Sequence, residues 1–294
     1  MGYQLWVSPL TGYRRKGTRF SALKKLFIDN ITVRNIYEPL LCCPQSSSAS
    51  SAKDALIARD FDVAGVKETE EGEIIGFIRT IELGEEAVKD YAIKIEPHLL
   101  ISDSTPISEI FSILSEKDFS FVLSGNQISG IITRADINKP PVRIYLFGLI
   151  SLFEMHLNAW INHYFPKNRW IEKVPDKRMR KASQIFKIRK GDNQDLSLLE
   201  CMQMCDKRNL LLIRPPFLKE FGFNDDSFDS LLKDVEKVRN ELAHSQDSII
   251  SNVEWTRLIE IISEAEKFLL ASDSRIEDMA AKGNNFHDLL VPSV

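Results

Sequence analysis

Cysteine is scarce. The 294 residues include four: Cys42, Cys43, Cys201 and Cys205. Neighbouring cysteines rarely pair with each other, and Cys201 and Cys205 stand one helical turn apart with no histidine beside them. Neither a disulfide framework nor a zinc site is expected; reduced core thiols in a cytoplasmic protein are. There is no Gly-rich phosphate loop and no cluster of carboxylates, which argues against nucleotidyl or phosphoryl transfer. No apolar run approaches the roughly 18 residues of a membrane span. The best candidate, "IYLFGLISLFEMHLNAWI", is broken by Glu154, His156 and Asn158, so no membrane partner is expected. The opening "MGYQLWVSPLTGYRRKGTRF" lacks the apolar core of a signal peptide, and Trp6 stands where a myristoylation signal has Ser or Thr. Nor is there a positive excess: 38 Lys and Arg against 42 Asp and Glu give a net charge of −4. That excludes a coat of positive charge for bulk nucleic-acid binding and leaves room for a local basic groove.

The chain does have core material. It is 44% hydrophobic and 27% charged, enough for about two domains of ordinary size. Residues 1–30 read as a basic leader carrying Arg14, Arg15, Lys16, Arg19, Lys24 and Lys25, with "SALKKLFI" as a short amphipathic helix. The serine-rich "CCPQSSSASSAKD" reads as a loop entering a Ser-capped helix. From there to about residue 140 the chain repeats itself. Helix "AKDALIARD", strand "DVAGVKET" and strand "EIIGFIRT" are followed by helix "PISEIFSILSEKD", strand "FSFVLSG" and strand "ISGIITR". Each unit is a helix and a hairpin with Gly near its turn. A unit this small cannot bury its sheet alone, so the two are expected to pack together and leave clefts.

"NKPPVRI" then interrupts the pattern, its paired prolines reading as a stiff connector. Beyond it the period becomes helical, with Leu146, Ile150, Phe153, Leu157 and Ile161 on one face of a long helix. Further helices are expected near 178–187, 194–206, 226–245 and 253–271. The predicted fold class is α+β: a tandem α/β module over 31–140, an all-α bundle over 141–280 and a frayed tail over 281–294.

"GIITRAD", residues 130–136, places a Gly, a hydroxyl three residues on and an acid six residues on. This resembles the closing motif of cystathionine-β-synthase-type (CBS) modules, and the resemblance covers residues 31–140 as a tandem pair. It implies a site for an adenine nucleotide (AMP, ADP, ATP or a related signal). Thr133 would face the phosphate and Asp136 would accept the ribose hydroxyls beside a helix N-terminus. The first unit departs from the motif: Gly76 is present, but Arg79 and Glu82 hold the hydroxyl and acid positions. One competent site and one degraded site follow, with Arg79 a possible added charge in a phosphate pocket and Thr105, before Pro106, a further contact. Thr133 and Asp136 are also residue types that cap helices.

Near the C-terminus "VEKVRNELAHSQDS" puts Arg239, Asn240 and His244 within six residues. On a helix Asn240 and His244 share a face, Glu236 lies one turn from Arg239 as an ion-pair partner, and Val235, Val238 and Leu242 take the buried side. An imidazole can move protons near neutral pH and a guanidinium can stabilise charge on phosphate oxygens. "RNELAH" resembles the Arg-Asn-x-x-x-His signature of HEPN (higher eukaryotes and prokaryotes nucleotide-binding) domains, over residues 143–272. That resemblance implies a helical bundle that forms a homodimer and cleaves RNA without a metal or other cofactor, leaving a 2′,3′-cyclic phosphate. Glu154 matches an acidic residue of the family's first long helix and is more structural than catalytic in character. His156 and His163 read as surface or interface residues. Residues 167–190 hold ten Lys or Arg against two acids, with Trp170 and Phe186 as stacking faces, and are a candidate RNA-docking tract; a solvated charged face accounts for them equally. Together these readings predict a nucleotide-regulated endoribonuclease suited to bacterial stress or anti-phage defence. The alternative is a non-catalytic nucleotide sensor that binds RNA or a protein partner.

Overall fold

The computed structural model describes residues 17–191, 197–243, 248–249 and 253–283. Residues 27–142 form one unit, and residues up to Leu26 form a second with those from Arg143 onward. The chain first crosses between them within helix α1 (Phe20–Asn30).

The sheet unit contains, in order, β1 (Glu38–Pro39), β2 (Cys42–Pro44), α2 (Ala49–Ile57), β3 (Val63–Lys67), β4 (Ile74–Arg79), β5 (Leu100–Ser102), α3 (Ile110–Ile113), β6 (Phe119–Ser124) and β7 (Gln127–Thr133). They make a three-stranded sheet, β2-β3-β4, and a four-stranded one, β1-β7-β6-β5. In each repeat a short strand runs parallel to the next, which then turns back in a hairpin. The duplication holds residue by residue. Val63 faces Arg79 as Phe119 faces Thr133, Val66 faces Gly76 as Val122 faces Gly130, and both ladders slip immediately afterwards. Arg79 and Glu82 therefore occupy the positions of Thr133 and Asp136.

Each sheet is completed by the segment that precedes the other repeat. β1 pairs with β7 through Pro39 and Gly130, and Ile93 bridges Phe77 on β4. This exchange explains the two motif glycines. A Cβ on Gly76 would lie 2.7 Å from the Ile93 carbonyl oxygen, and one on Gly130 would lie 2.6 Å from that of Glu38. Only glycine lets the completing strand approach so closely. An aromatic cluster spans both repeats, Phe77 standing 5.7 Å from Phe119 and 5.2 Å from Phe121.

From residue 143 onward every named element among the described residues is helical. After α4 (Pro140–Tyr164) come α5 (Asp176–Gly191), α6 (Met204–Leu212), α7 (Pro215–Glu220), α8 (Asp225–Ala243) and α9 (Trp255–Gly283). Pro140 and Pro141 are not a separate connector; they open α4, where a missing N–H costs nothing and a fixed φ suits the first turn. α4 buries Tyr145, Leu149, Phe153, Leu157 and Trp160, and Phe153 meets Phe268 of α9 at 5.0 Å. By length and composition α4 could cross a membrane, which corrects the reading that no segment comes near this. However, 61% of its apolar window is buried within the protein. α8 buries Phe228, Leu231, Leu232, Val235 and Val238. Part of the expected leader belongs with these helices: Phe20 is fully buried and its N–H donates to Asp273 Oδ2 at 2.7 Å.

Candidate functional site

The motif at the end of β7 is a capping box. Thr133 is the N-cap of the 3₁₀ turn Arg134–Asn138. The Ala135 N–H donates to Thr133 Oγ1 at 3.2 Å, while the Thr133 N–H and hydroxyl donate to Asp136 Oδ2 at 2.6 and 3.2 Å. Asp136 is buried, and its other oxygen meets Lys139 Nζ at 2.8 Å. Lys139 also contacts the Glu38 carboxylate and the Ile36 carbonyl. Burial works against the Lys139 charge, but the bonds to Asp136 and Glu38 outweigh it and hold the ammonium above the usual lysine range. The capping role is thus present, and both Asp136 oxygens already have partners.

Arg79 and Thr133 come together through Phe119. The Arg79 guanidinium lies 5.3 Å over the Phe119 ring, and Phe119 is the cross-strand neighbour of Thr133, with its side chain on the same face. Thr105 contributes its carbonyl to Val33 N–H at 2.9 Å. Beside it, Asp103 accepts from Arg34 at 2.8 Å and Ser124 at 2.9 Å. The Arg34 bond, followed by that of Ser124, holds the Asp103 carboxyl below the usual range. Sequence reading misses this pair because Arg34 and Asp103 are 69 residues apart.

In the helical unit Glu154 on α4 and Arg239 on α8 are neighbours, with 3.9 Å between Oε2 and Nη1. Among the described residues Arg239 faces Glu154 rather than the expected Glu236. Lys207 of α6 occupies Glu154's other oxygen at 2.6 Å. It is 1% exposed, and burial pushes its ammonium pKa down against the opposing pull of Glu154. Asn240 is exposed on α8, and Leu242 is half-buried rather than buried. His244 lies outside the described residues. The α8 end before it is held by Arg143, whose Nη2 donates to the Glu241 and Leu242 carbonyls at 2.9 and 3.1 Å. A cation there suits the negative end of the helix.

Two other expectations are corrected. His156 is not a surface residue: it is fully buried, and its Nδ1 pairs with Ser272 Oγ at 2.6 Å, which also accepts from Trp160 Nε1 at 2.7 Å. His163, one stripe further along α4, is exposed as expected. Trp170 cannot offer a stacking face because it is 1% exposed; Phe186 is half-buried under Lys190. Among the described residues no group of three His, Cys, Asp or Glu is placed to hold a metal.

Residues 88–140 match the CBS domain family. Among curated proteins none matches the chain. Similar solved structures include the CBS domains of a transcriptional regulator from Streptococcus pneumoniae, with 17% identity, 37% of this chain, 98% of that chain and a TM-score of 0.32. CBSX2 in complex with AMP is similar at 18% identity over 38% of this chain and 97% of that chain, with a TM-score of 0.32. The CBS domain of a bacterial CNNM/CorC family Mg2+ transporter in complex with ATP shows 12% identity over 40% of this chain and 92% of that chain, with a TM-score of 0.33.

Proposed function

We propose that the chain is an adenine-nucleotide-responsive, metal-independent endoribonuclease. The CBS module over 31–140 takes AMP, ADP, ATP or a related nucleotide, and the helical unit acts as a HEPN-like homodimer that cuts RNA. The observation that carries the sensing half is the Gly130–Thr133–Asp136 arrangement inside the segment that matches the CBS domain. It gathers a hydroxyl, a carboxylate and the first amides of a helical turn at one point, the group types that phosphate and ribose require, and a nucleotide would have to exchange its own bonds for those that Thr133, Asp136 and Lys139 now make with one another.

The cleaving half rests on Arg239, Asn240 and His244. The RNA 2′-hydroxyl attacks the adjacent phosphorus as His244 takes its proton. Arg239 stabilises the charge gathered on the phosphate oxygens, and Asn240 orients the imidazole. The bond from phosphorus to the 5′-oxygen breaks as His244 returns that proton, directly or through water, to the departing oxygen, and the products are a 2′,3′-cyclic phosphate and a 5′-hydroxyl. Glu154 sets the position of Arg239.

One observation favours the second reading, a non-catalytic sensor that binds RNA or a protein partner: Arg239 already has a carboxylate partner in Glu154. Incubation with mixed RNA in EDTA, with and without a panel of adenine nucleotides, separates the two. The catalytic reading expects cyclic-phosphate ends that vanish in His244→Ala and Arg239→Ala. Cleavage surviving in both variants rejects the site, a metal requirement rejects the mechanism, and no cleavage under any nucleotide selects the sensor.

A further inference from the structure

α5 carries cations that the fold does not use. Its 16 residues include Lys177, Arg178, Arg180, Lys181, Lys187, Arg189 and Lys190 against the single acid Asp176. Arg189 and Lys190 lie in the last turn, where positive charge favours the helix. Arg178 is taken up by Asp206 at 3.7 Å. That leaves Lys177, Arg180, Lys181 and Lys187. All four are exposed, and among the described residues no carboxylate pairs with them.

Their placement is unfavourable to the helix itself. At 100° per residue the four fall within one arc of about 120°. Lys177 is three and four residues from Arg180 and Lys181, and like charges at those spacings cost a few tenths of a kcal/mol each. Lys177 also lies in the first turn, at the positive end of the helix dipole. The helix is held by little else, since Ala182 is its one fully buried residue. A depression of about 550 Å³ along the same element is lined by Asp176, Met179, Arg180, Ser183, Gln184 and Lys187; Ser183 and Gln184 supply hydrogen-bonding groups beside Arg180 and Lys187, and the Asp176 carboxylate is the one anionic group on its wall. In a chain whose net charge is −4, this arc is a local concentration of positive charge.

We infer that the exposed arc of α5, with Lys177, Arg180, Lys181 and Lys187 as its phosphate contacts, is the surface that holds single-stranded RNA. The inference deepens the proposed RNA-directed function and rests on it. The first and last of these cations are ten positions apart, about 15 Å along the axis. One phosphate for each of the four cations is the contact count that this arc supports. Four neutralised phosphates give a slope of log affinity against log salt near −2.8 for a single strand, or roughly a 50-fold loss between 50 and 200 mM.

The test measures binding of a labelled single-stranded RNA to the full chain in a His244→Ala background, where cutting does not interfere. The comparison variant changes Lys177, Arg180, Lys181 and Lys187 to Gln together, keeping helix propensity close to that of Lys. Its far-UV circular dichroism and Tm should match or exceed the parent's, since repulsion has been removed. The surface is supported if the salt slope becomes shallower by about 2.8 with the fold intact. An unchanged slope overturns it, as does polyglutamate of matched charge binding as tightly as RNA. RNA binding through α5 by a chain that never cuts RNA would leave the surface standing and remove the cleavage reading.

Discussion

The Glu154 carboxylate is shared by two cations that differ greatly in their access to water. Lys207 is 1% exposed and Arg239 about a third exposed. Removing one partner of a buried ion pair leaves the other charge uncompensated and costs about 3–5 kcal/mol. Glu154→Ala is therefore expected to destabilise the helical unit by about 3 kcal/mol, because it abandons Lys207. Glu154→Leu combined with Lys207→Met is expected to recover most of that loss, since an apolar pair of similar volume carries no desolvation penalty. Urea unfolding of Glu154→Leu, of Lys207→Met and of the double completes the cycle. An inactive Glu154→Ala chain therefore reports a misplaced Arg239 before it reports a lost catalytic group. Asp103 yields a pH prediction. Its carboxyl is held below the usual range by Arg34 and then Ser124. Such a group adds stability above its unfolded pKa, about 3.9, and loses it as pH falls through the lower folded value. Urea midpoints of the sheet unit are expected to drop as pH falls below about 4, and the drop to shrink in Asp103→Asn. Neither pair is legible in sequence, because their partners are 53 and 69 residues apart. The Gly130, Thr133 and Asp136 motif is legible because its capping bonds all close within three residues.

Elements reveal themselves in proportion to their length. The helical period of α4 and the alternation along β4 and β7 survive averaging over several residues. β1, β2 and β5 have two or three residues each, too few for any period, and they exist because a neighbouring strand offers its edge. Prolines 140 and 141 mislead for a related reason: the same pair that stiffens a linker also starts a helix, and the apolar stripe that follows decides between them. α4 and α5 then differ in what holds them. α4 buries a stripe of large side chains from Tyr145 to Ile161, whereas α5 buries Ala182 alone. Amides that open only with a packed core exchange far more slowly than those of a helix lying on the surface. Hydrogen exchange is expected to label α5 at least tenfold faster than the middle of α4. Equal protection would mean that α5 is covered in solution by something beyond this chain.

At the scale of the whole chain, the change of period near residue 143 is legible, but the place of the residues before it is not. Nothing in "FSALKKLFI" shows that Phe20 is fully buried or that its N–H donates to Asp273, because the partner lies 253 residues away. Regulation involves both units together and takes the form of a coupling free energy. A nucleotide at a hundred times its Kd stabilises the folded chain by about 2.7 kcal/mol if it binds that state alone. A rise in Tm with AMP or ATP therefore establishes sensing but not control. Control requires a coupling free energy, and coupling is reciprocal: a nucleotide that tightens RNA binding tenfold must itself be bound tenfold more tightly when RNA is present. Both factors can be measured on the His244→Ala chain, where the RNA survives, by titrating nucleotide with and without saturating RNA and then reversing the order. The regulated reading expects equal factors clearly different from one. Two factors of one, with both ligands bound, would make the units energetically independent and leave the helical unit without nucleotide control.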